Sequence, residues 1–170
     1  MDAAPLLAEV CGRLRDVRLE AVLIGNAAAA LRGAPVTTVD FDFLFRKTPR
    51  NLAKLKALAR GLRAVILHPY YPASDLYRVV RDDDGLQVDF MGTIHGIRSF
   101  EGLRDRATSI EIGGVSLLVA SLSDVIRSKR AARRPRDLAV LDILEATHEE
   151  ATKSSAKARR PRSRKRAGTA

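Results

Sequence analysis

The chain has 170 residues, of which 46% are hydrophobic and 29% are charged, as is typical of a soluble globular domain. This length allows one domain with a proper core and excludes two substantial domains. The first residues, MDAAPLLAEV, lack the basic start of a secretory signal, and no apolar run approaches the roughly 20 residues that span a bilayer. We therefore expect a cytoplasmic protein with no membrane partner.

The net charge of +10 belongs mainly to the carboxyl-terminal end of the chain. Residues 152–170 hold eight Lys and Arg and no acid, which leaves 22 basic and 20 acidic residues, or +2, for residues 1–151. The tail composition, without an apolar period, predicts a folded domain over residues 1–150 and a disordered basic tail over residues 151–170. Such a tail binds RNA or DNA by neutralising phosphates; the alternative is a solubilising extension.

Helical and strand patterns alternate along the first half of the chain. Pro5 suits the first turn of the first helix, in which the single Cys11 is expected to be a core residue. Asn26 is a candidate N-cap for the second helix. The patterns predict helices over residues 5–17, 27–31 and 50–62 and strands over residues 21–24, 39–45 and 64–68.

Two hairpins are predicted in the second half. The first joins strands 76–80 and 86–91 through the turn signal RDDDG, and the second joins strands 109–112 and 115–119 through two glycines. Ser121 is the expected cap of a helix over residues 122–130, and a last helix is expected over residues 136–149. Strands mixed with helices and hairpins predict an α/β or α+β sheet with helices packed on it.

Aspartates stand inside two of these apolar strands, where Asp is depleted and costly to bury unpaired. Strand alternation puts Asp40 and Asp42 on one face, about 6.6 Å apart along the strand, with Val39 on the other face. Such a pair can hold a divalent cation; the alternative is structural pairing with a buried Arg or Lys. If the strand that carries Asp89 lies beside the Asp40 and Asp42 strand, three carboxylates converge.

Two further features suit phosphate groups. Gly25 permits a tight turn and close backbone approach before a short helix, whose free amides attract phosphate. Residues 127–136 carry six basic residues and no acid. This basic run can bind phosphates, and the alternative is a solvated helix face and turn.

Taken in order, these motifs resemble the nucleotidyltransferase superfamily, specifically the small AbiEii-like and minimal-nucleotidyltransferase branch of bacterial toxin–antitoxin and phage-defence systems. The matching features are the glycine turn, Thr38, the Asp-x-Asp pair, the later lone Asp89 and the block VASLSDVIRSKRAARRPRDL over residues 119–138. The resemblance covers residues 20–146. The chain departs from the family at Asn26, where Gly or Ser is usual, at Val36, where many members carry Arg, and at Val39, where Lys is common.

The resemblance implies a nucleotidyltransferase-like mixed sheet flanked by helices, and an Mg²⁺-dependent enzyme that transfers a nucleoside monophosphate from an NTP. The acceptor would be an RNA end, such as that of a tRNA, or a hydroxyl of a protein such as a cognate toxin or antitoxin. The alternative is a catalytically silent module that binds nucleic acid or a partner protein. The implied catalytic residues, which would hold two Mg²⁺ ions, are Asp40, Asp42 and Asp89. The implied nucleotide-binding residues are Gly25, Asn26, Thr38, Lys129, Arg133 and Arg136.

Overall fold

The computed structural model describes residues 3–159, in which seven strands form one mixed sheet with the order β3-β4-β5-β2-β1-β7-β6. The strands are β1 Ala21–Ile24, β2 Phe41–Phe45, β3 Val65–Leu67, β4 Tyr77–Arg81, β5 Leu86–Met91, β6 Thr108–Ile112 and β7 Val115–Val119. The helices are α1 Ala3–Asp16, α2 Gly25–Leu31, α3 Pro49–Gly61, α4 Phe100–Arg106, α5 Leu122–Ala132, α6 Pro135–Leu138 and α7 Leu141–Arg159. This architecture confirms the predicted fold class.

The centre of the sheet is formed by β1, β2 and β5. Strand β2 pairs antiparallel with β1 and parallel with β5, and the second pairing sets Asp42 opposite Asp89. Both predicted hairpins are present, β4 with β5 and β6 with β7, and Gly113 and Gly114 have positive φ angles in the second turn. The two acidic strands therefore lie side by side, which meets the condition under which the three carboxylates converge.

An aromatic core lies on the sheet face opposite Asp42. Phe43 and Phe90 stack with ring centroids 5.3 Å apart, and Phe45 meets Phe90 edge to face at 5.9 Å. All three rings are fully buried, as are Leu55 and Leu58 of α3. Burial of each aromatic or leucine side chain stabilises the folded state by roughly 1.5–3 kcal/mol. This layer therefore helps to hold β2 and β5 in register.

Hydrogen bonds join α2 to the start of α5. Arg32, directly after α2, donates from Nη2 to the Val119 carbonyl at 2.6 Å and from Nε to the Ala120 carbonyl at 3.1 Å. The Ala120 amide donates in turn to the Leu23 carbonyl at 2.9 Å. Since α2 also packs on β1, β2 and α5, these elements form one connected unit beside the acidic strands.

Several element boundaries differ from the predicted ones. Strand β2 begins at Phe41 rather than residue 39, because the Thr38 hydroxyl donates to the Asp40 carbonyl at 2.6 Å and ends the ladder there. Val39 is 85% exposed and does not share the core face. Helix α2 already starts at Gly25, so Asn26 is not its N-cap. Helix α4 was not predicted, and the last predicted helix is divided into α6 and α7.

Helix α7 also corrects part of the tail prediction. It continues to Arg159, so residues 151–159 are helical where disorder was expected. The hydroxyls of Thr152 and Ser155 donate to carbonyls four residues earlier, and Lys153 pairs with Glu149 at 3.6 Å, so these polar residues are accommodated within a helix. The rest of the predicted tail lies outside the described residues, and the domain boundary at residue 150 stays a prediction.

None of the described helices is long and apolar enough to cross a bilayer.

Candidate functional site

Three carboxylates lie close together near the start of the central strand β2. Asp42 and Asp89 are neighbours across the parallel β2–β5 pair, so their side chains project from the same face. Asp40 directly precedes β2 and is two residues from Asp42, which places it on that face as well. One oxygen from each of the three side chains lies within 4.8 Å of the other two. The structure therefore brings together the three predicted catalytic residues.

Asp40 is held by neutral donors. The Gln87 amide on β5 donates to Oδ2 of Asp40 at 3.2 Å, and the Thr38 hydroxyl lies 3.4 Å from Oδ1. Thr38 is predicted to bind the nucleotide, and that role stays a prediction; in the structure its hydroxyl donates to the Asp40 carbonyl at 2.6 Å, beside the cluster. The Gln87 amide on β5 therefore fixes the direction of the Asp40 carboxylate.

Asp42 lies closest to the glycine turn. Gly25 has a φ of +66°, and a Cβ on this residue would overlap Oδ2 of Asp42, so only glycine leaves room for the carboxylate. Burial, followed by the charges of Asp40 and Asp89, raises the pKa of Asp42 to about 7. Lys129 acts in the opposite direction but does not compensate. Near neutral pH the three carboxylates thus repel one another, as expected of a site that takes a positive ion.

Asp89 has a cationic partner that the sequence analysis did not identify. Arg78 of β4 donates from Nε to Oδ1 at 2.8 Å and from Nη2 to Oδ2 at 2.7 Å. The β4–β5 register sets these two residues directly opposite each other. The predicted hairpin could have shown this pair. Arg81 and Leu86 face each other across the turn, and three residues further along each strand Arg78 faces Asp89.

The basic run contributes unequally to the site. The charges of Lys129 and Arg136 lower the pKa of Asp42, which places both within electrostatic reach of the cluster. Lys129 is itself fixed by Asp137 at 3.1 Å, and both side chains are only 11% exposed. Arg133 is exposed at the carboxyl end of α5 with a φ of +53°, and no contact connects it to the carboxylates. Of the three predicted cations, the structure therefore brings two to the site.

Two further cations of the basic run are paired with acidic neighbours. Arg127 lies 3.3 Å from Asp124, and Arg130 lies 2.8 Å from Glu145. Both arginines are exposed, so these pairs contribute little to stability. They do reduce the free positive charge on α5, which confines the phosphate-binding potential to the end nearest Asp42.

Asn26 stands beside the turn with one half of its amide unused. Its Nδ2 donates to the Thr37 carbonyl at 3.1 Å, whereas Oδ1 is a buried side-chain atom without a hydrogen-bond partner. A buried acceptor without a donor is costly and marks a place where a ligand or water can supply one. Asn26 thus lies where the sequence analysis expects the nucleotide, with one of its two amide N–H groups already engaged.

The three carboxylates fit a hard divalent cation. Mg²⁺ prefers oxygen ligands and is usually held by one or two carboxylates together with phosphate oxygens of a substrate. Asp42 supplies an oxygen to which no described donor bonds, and the fixed Asp40 supplies a second. Burial is the main cause of the raised pKa of Asp42, and the neighbouring charges of Asp40 and Asp89 add to it; a bound cation would offset both by stabilising the charged carboxylate.

Comparison with known proteins points to one family. A family model described as "Nucleotidyl transferase of unknown function (DUF2204)" matches residues 4–166. No curated protein matches the chain at a significant level.

Three solved structures share the fold. A crystal structure of ANT(2″)-Ia in complex with adenylyl-2″-tobramycin has a TM-score of 0.57 at 14% identity and covers 94% of this chain and 99% of its own. A solution structure of ANT(2″)-Ia has a TM-score of 0.56 at 13% identity, with 92% and 96% covered. An antigenic nucleotidyltransferase-like protein from Paracoccidioides brasiliensis has a TM-score of 0.54 at 15% identity, with 83% and 74% covered.

Proposed function

Because the chain belongs to the family of nucleotidyl transferases described as DUF2204, we propose that it is an Mg²⁺-dependent enzyme that transfers a nucleoside monophosphate from an NTP to a hydroxyl group. The observation that carries this proposal is the convergence of Asp40, Asp42 and Asp89, with one oxygen of each within 4.8 Å of the others. One carboxylate on β2, one directly before it and a third on the adjacent strand β5 suit the binding of a metal–triphosphate complex.

Each part of the site has a proposed task. Asp40, Asp42 and Asp89 would hold Mg²⁺, which when bound neutralises the charge that develops on the transferred phosphate. Gly25 leaves the space in which a triphosphate can approach Asp42, and Asn26 beside that space has a second Nδ2 hydrogen that can donate to a phosphate oxygen. Lys129 and Arg136 add positive charge that reaches Asp42. These residues therefore bind and orient the triphosphate.

Two observations support the choice of a hydroxyl acceptor. The structural neighbour ANT(2″)-Ia was crystallised with adenylyl-2″-tobramycin, an adenylylated small molecule. In addition, residues 152–170 carry eight basic residues and no acid, which favours an RNA end, such as that of a tRNA, over a neutral acceptor. A protein hydroxyl is the second acceptor class. A place in a toxin–antitoxin pair is proposed from the sequence resemblance alone, and the cognate protein would then be the partner.

The test is transfer of label from α-labelled ATP, CTP, GTP and UTP, with Mg²⁺, into total tRNA and soluble cell protein. The doubly substituted protein Asp40→Asn/Asp42→Asn should transfer none. Asp82→Asn/Asp83→Asn, in the exposed β4–β5 turn, is the matched control and should transfer normally. Label in an RNA band supports the RNA acceptor, and label in a protein band supports the protein acceptor. Absence of label with every nucleotide would contradict the proposal and favour a silent binding module.

A further inference from the structure

One member of the carboxylate cluster differs from the other two in its partner. Asp89 accepts hydrogen bonds from Arg78 on both oxygens, at 2.8 and 2.7 Å. The Asp40 carboxylate accepts from the neutral Gln87 amide at 3.2 Å, whereas the Thr38 hydroxyl, 3.4 Å away, donates its proton to the Asp40 carbonyl. No donor among the described residues reaches the carboxylate of Asp42. The three carboxylates are therefore not equivalent toward an incoming cation.

The Arg78–Asp89 pair is a strong one. Two parallel N–H bonds from a planar guanidinium to a carboxylate are shorter and more directional than neutral hydrogen bonds. The side chain of Asp89 is 7% exposed and that of Arg78 is 28% exposed, so water screens the pair far less than it screens a surface ion pair. Any cation that binds through Asp89 has to share its oxygens with a positive charge less than 3 Å away.

We propose that Arg78 is a positioning residue that withholds Asp89 from cations while no nucleotide is bound. The first divalent cation then binds through Asp40 and Asp42, and Asp89 becomes a ligand only after Arg78 has moved to another anion. This inference rests on the proposed function, because it takes the cluster to be the cation site of a nucleotidyltransferase. It adds an order of binding that the family resemblance does not contain.

The structure also indicates what draws Arg78 away. Its guanidinium is partly exposed, on a strand that lies next to the edge strand β3, and it lies within electrostatic reach of Asp40 as well as Asp89. A triphosphate that approaches Asp40 and Asp42 brings phosphate oxygens to this same region. Guanidinium groups bind phosphate with the same two-bond geometry that they use for carboxylates, so the exchange conserves the hydrogen bonds of Arg78. Nucleotide binding and the release of Asp89 are therefore one step.

The experiment measures Mn²⁺ binding to the nucleotide-free, full-length protein at pH 8 by titration calorimetry. Arg78→Gln should bind Mn²⁺ about tenfold more tightly than the wild-type protein, because it removes one opposing charge and frees Asp89. Arg106→Gln is the matched control, since Arg106 donates Nε and Nη2 to Asp124 in the same manner but away from the cluster. Its Mn²⁺ affinity should equal that of the wild type.

A second variant shows whether the gain passes through Asp89. Arg78→Gln/Asp89→Asn should return to within about twofold of the wild-type affinity, since the freed carboxylate is then absent. Thermal unfolding is followed for each variant, and Arg78→Met, which keeps the aliphatic stem, replaces Arg78→Gln if that protein does not fold. Unchanged or weaker Mn²⁺ binding by the folded single variant would overturn the proposal. Because the titration contains no nucleotide, failure of the transfer assay alone would contradict the proposed function and not this inference.

Discussion

Replacing Asp42 with asparagine should remove a specific pH dependence from the stability of the protein. Burial, followed by the charges of Asp40 and Asp89, raises the pKa of Asp42 from 3.8 to about 7. A group whose pKa is raised on folding stabilises the folded state below its unfolded pKa and loses that contribution as the pH rises through its folded pKa. In the absence of metal, the wild-type protein should therefore lose stability between about pH 4 and about pH 7.

The size of the effect follows from the two pKa values. Their separation is about three units, and each unit corresponds to about 1.4 kcal/mol. The free energy of unfolding should therefore fall by up to about 4 kcal/mol between pH 4 and pH 7 through this one group. Asparagine carries no charge at any of these pH values, so Asp42→Asn should lack this part of the pH dependence.

The assay is urea unfolding of the wild type and Asp42→Asn at intervals from pH 4 to pH 8, with a chelator present. Subtracting the two free energies cancels the titration of all groups that the substitution leaves unaffected, so the difference reports Asp42. The free energy of unfolding of Asp42→Asn should rise relative to that of the wild type as the pH rises, and the difference should level off above pH 7. Asp82→Asn, an exposed turn residue, serves as the control and should run parallel to the wild type. A constant difference between wild type and Asp42→Asn would refute the reasoning.

Three further changes test other parts of the site. Gly25→Ala should lose about 2 kcal/mol of stability and its Mn²⁺ binding, because the new methyl group overlaps Asp42 and the φ of residue 25 is +66°. Gly33→Ala is the control in thermal unfolding: its φ is +89° but the space around it is open, so it reports backbone strain alone. Mg²⁺ at a hundred times its dissociation constant should stabilise the wild type by about 2.7 kcal/mol, and a similar shift in Asp40→Asn/Asp42→Asn would exclude the carboxylates as its ligands. Lys129→Met should lower the free energy of unfolding in urea by about 3 kcal/mol, because it leaves the buried Asp137 unpaired. Lys129→Met/Asp137→Asn should recover part of that loss. No recovery would show that the broken ion pair is not the cause.

The sequence was sufficient to identify the three carboxylates of the cluster because the signals that mark them are local. Two aspartates at alternate positions of a hydrophobic strand define a face, and the RDDDG turn defines the hairpin that carries Asp89. The additional requirement was that the strand of Asp89 should lie beside that of Asp42, and the sequence resemblance supported it. The register Asp42 opposite Asp89 confirms that expectation.

The features that were missed depend on contacts between distant residues. Helix α4 has only seven residues, too few to show a helical period, and is stabilised by the Ser99 hydroxyl, which accepts from the Gly102 amide at 3.1 Å. Asn26 has the composition of a cap, but its amide bonds to Thr37, eleven residues away, once the loop folds back. The Arg78 side chain became part of the site only through strand pairing. Local patterns therefore predicted the ligands of the site better than the residues that hold them.

Arg32 has a consequence for how salt should act on this protein. It connects α2, which carries the glycine turn, to the start of α5, whose other end carries Lys129. The connection uses the backbone carbonyls of Val119 and Ala120 instead of a carboxylate, so added salt has no ion pair to screen there. The spacing between α2 and the start of α5 should then be the same in dilute buffer and in molar salt. Ionic strength would change how strongly a polyanion is attracted, while the shape that receives it stays fixed.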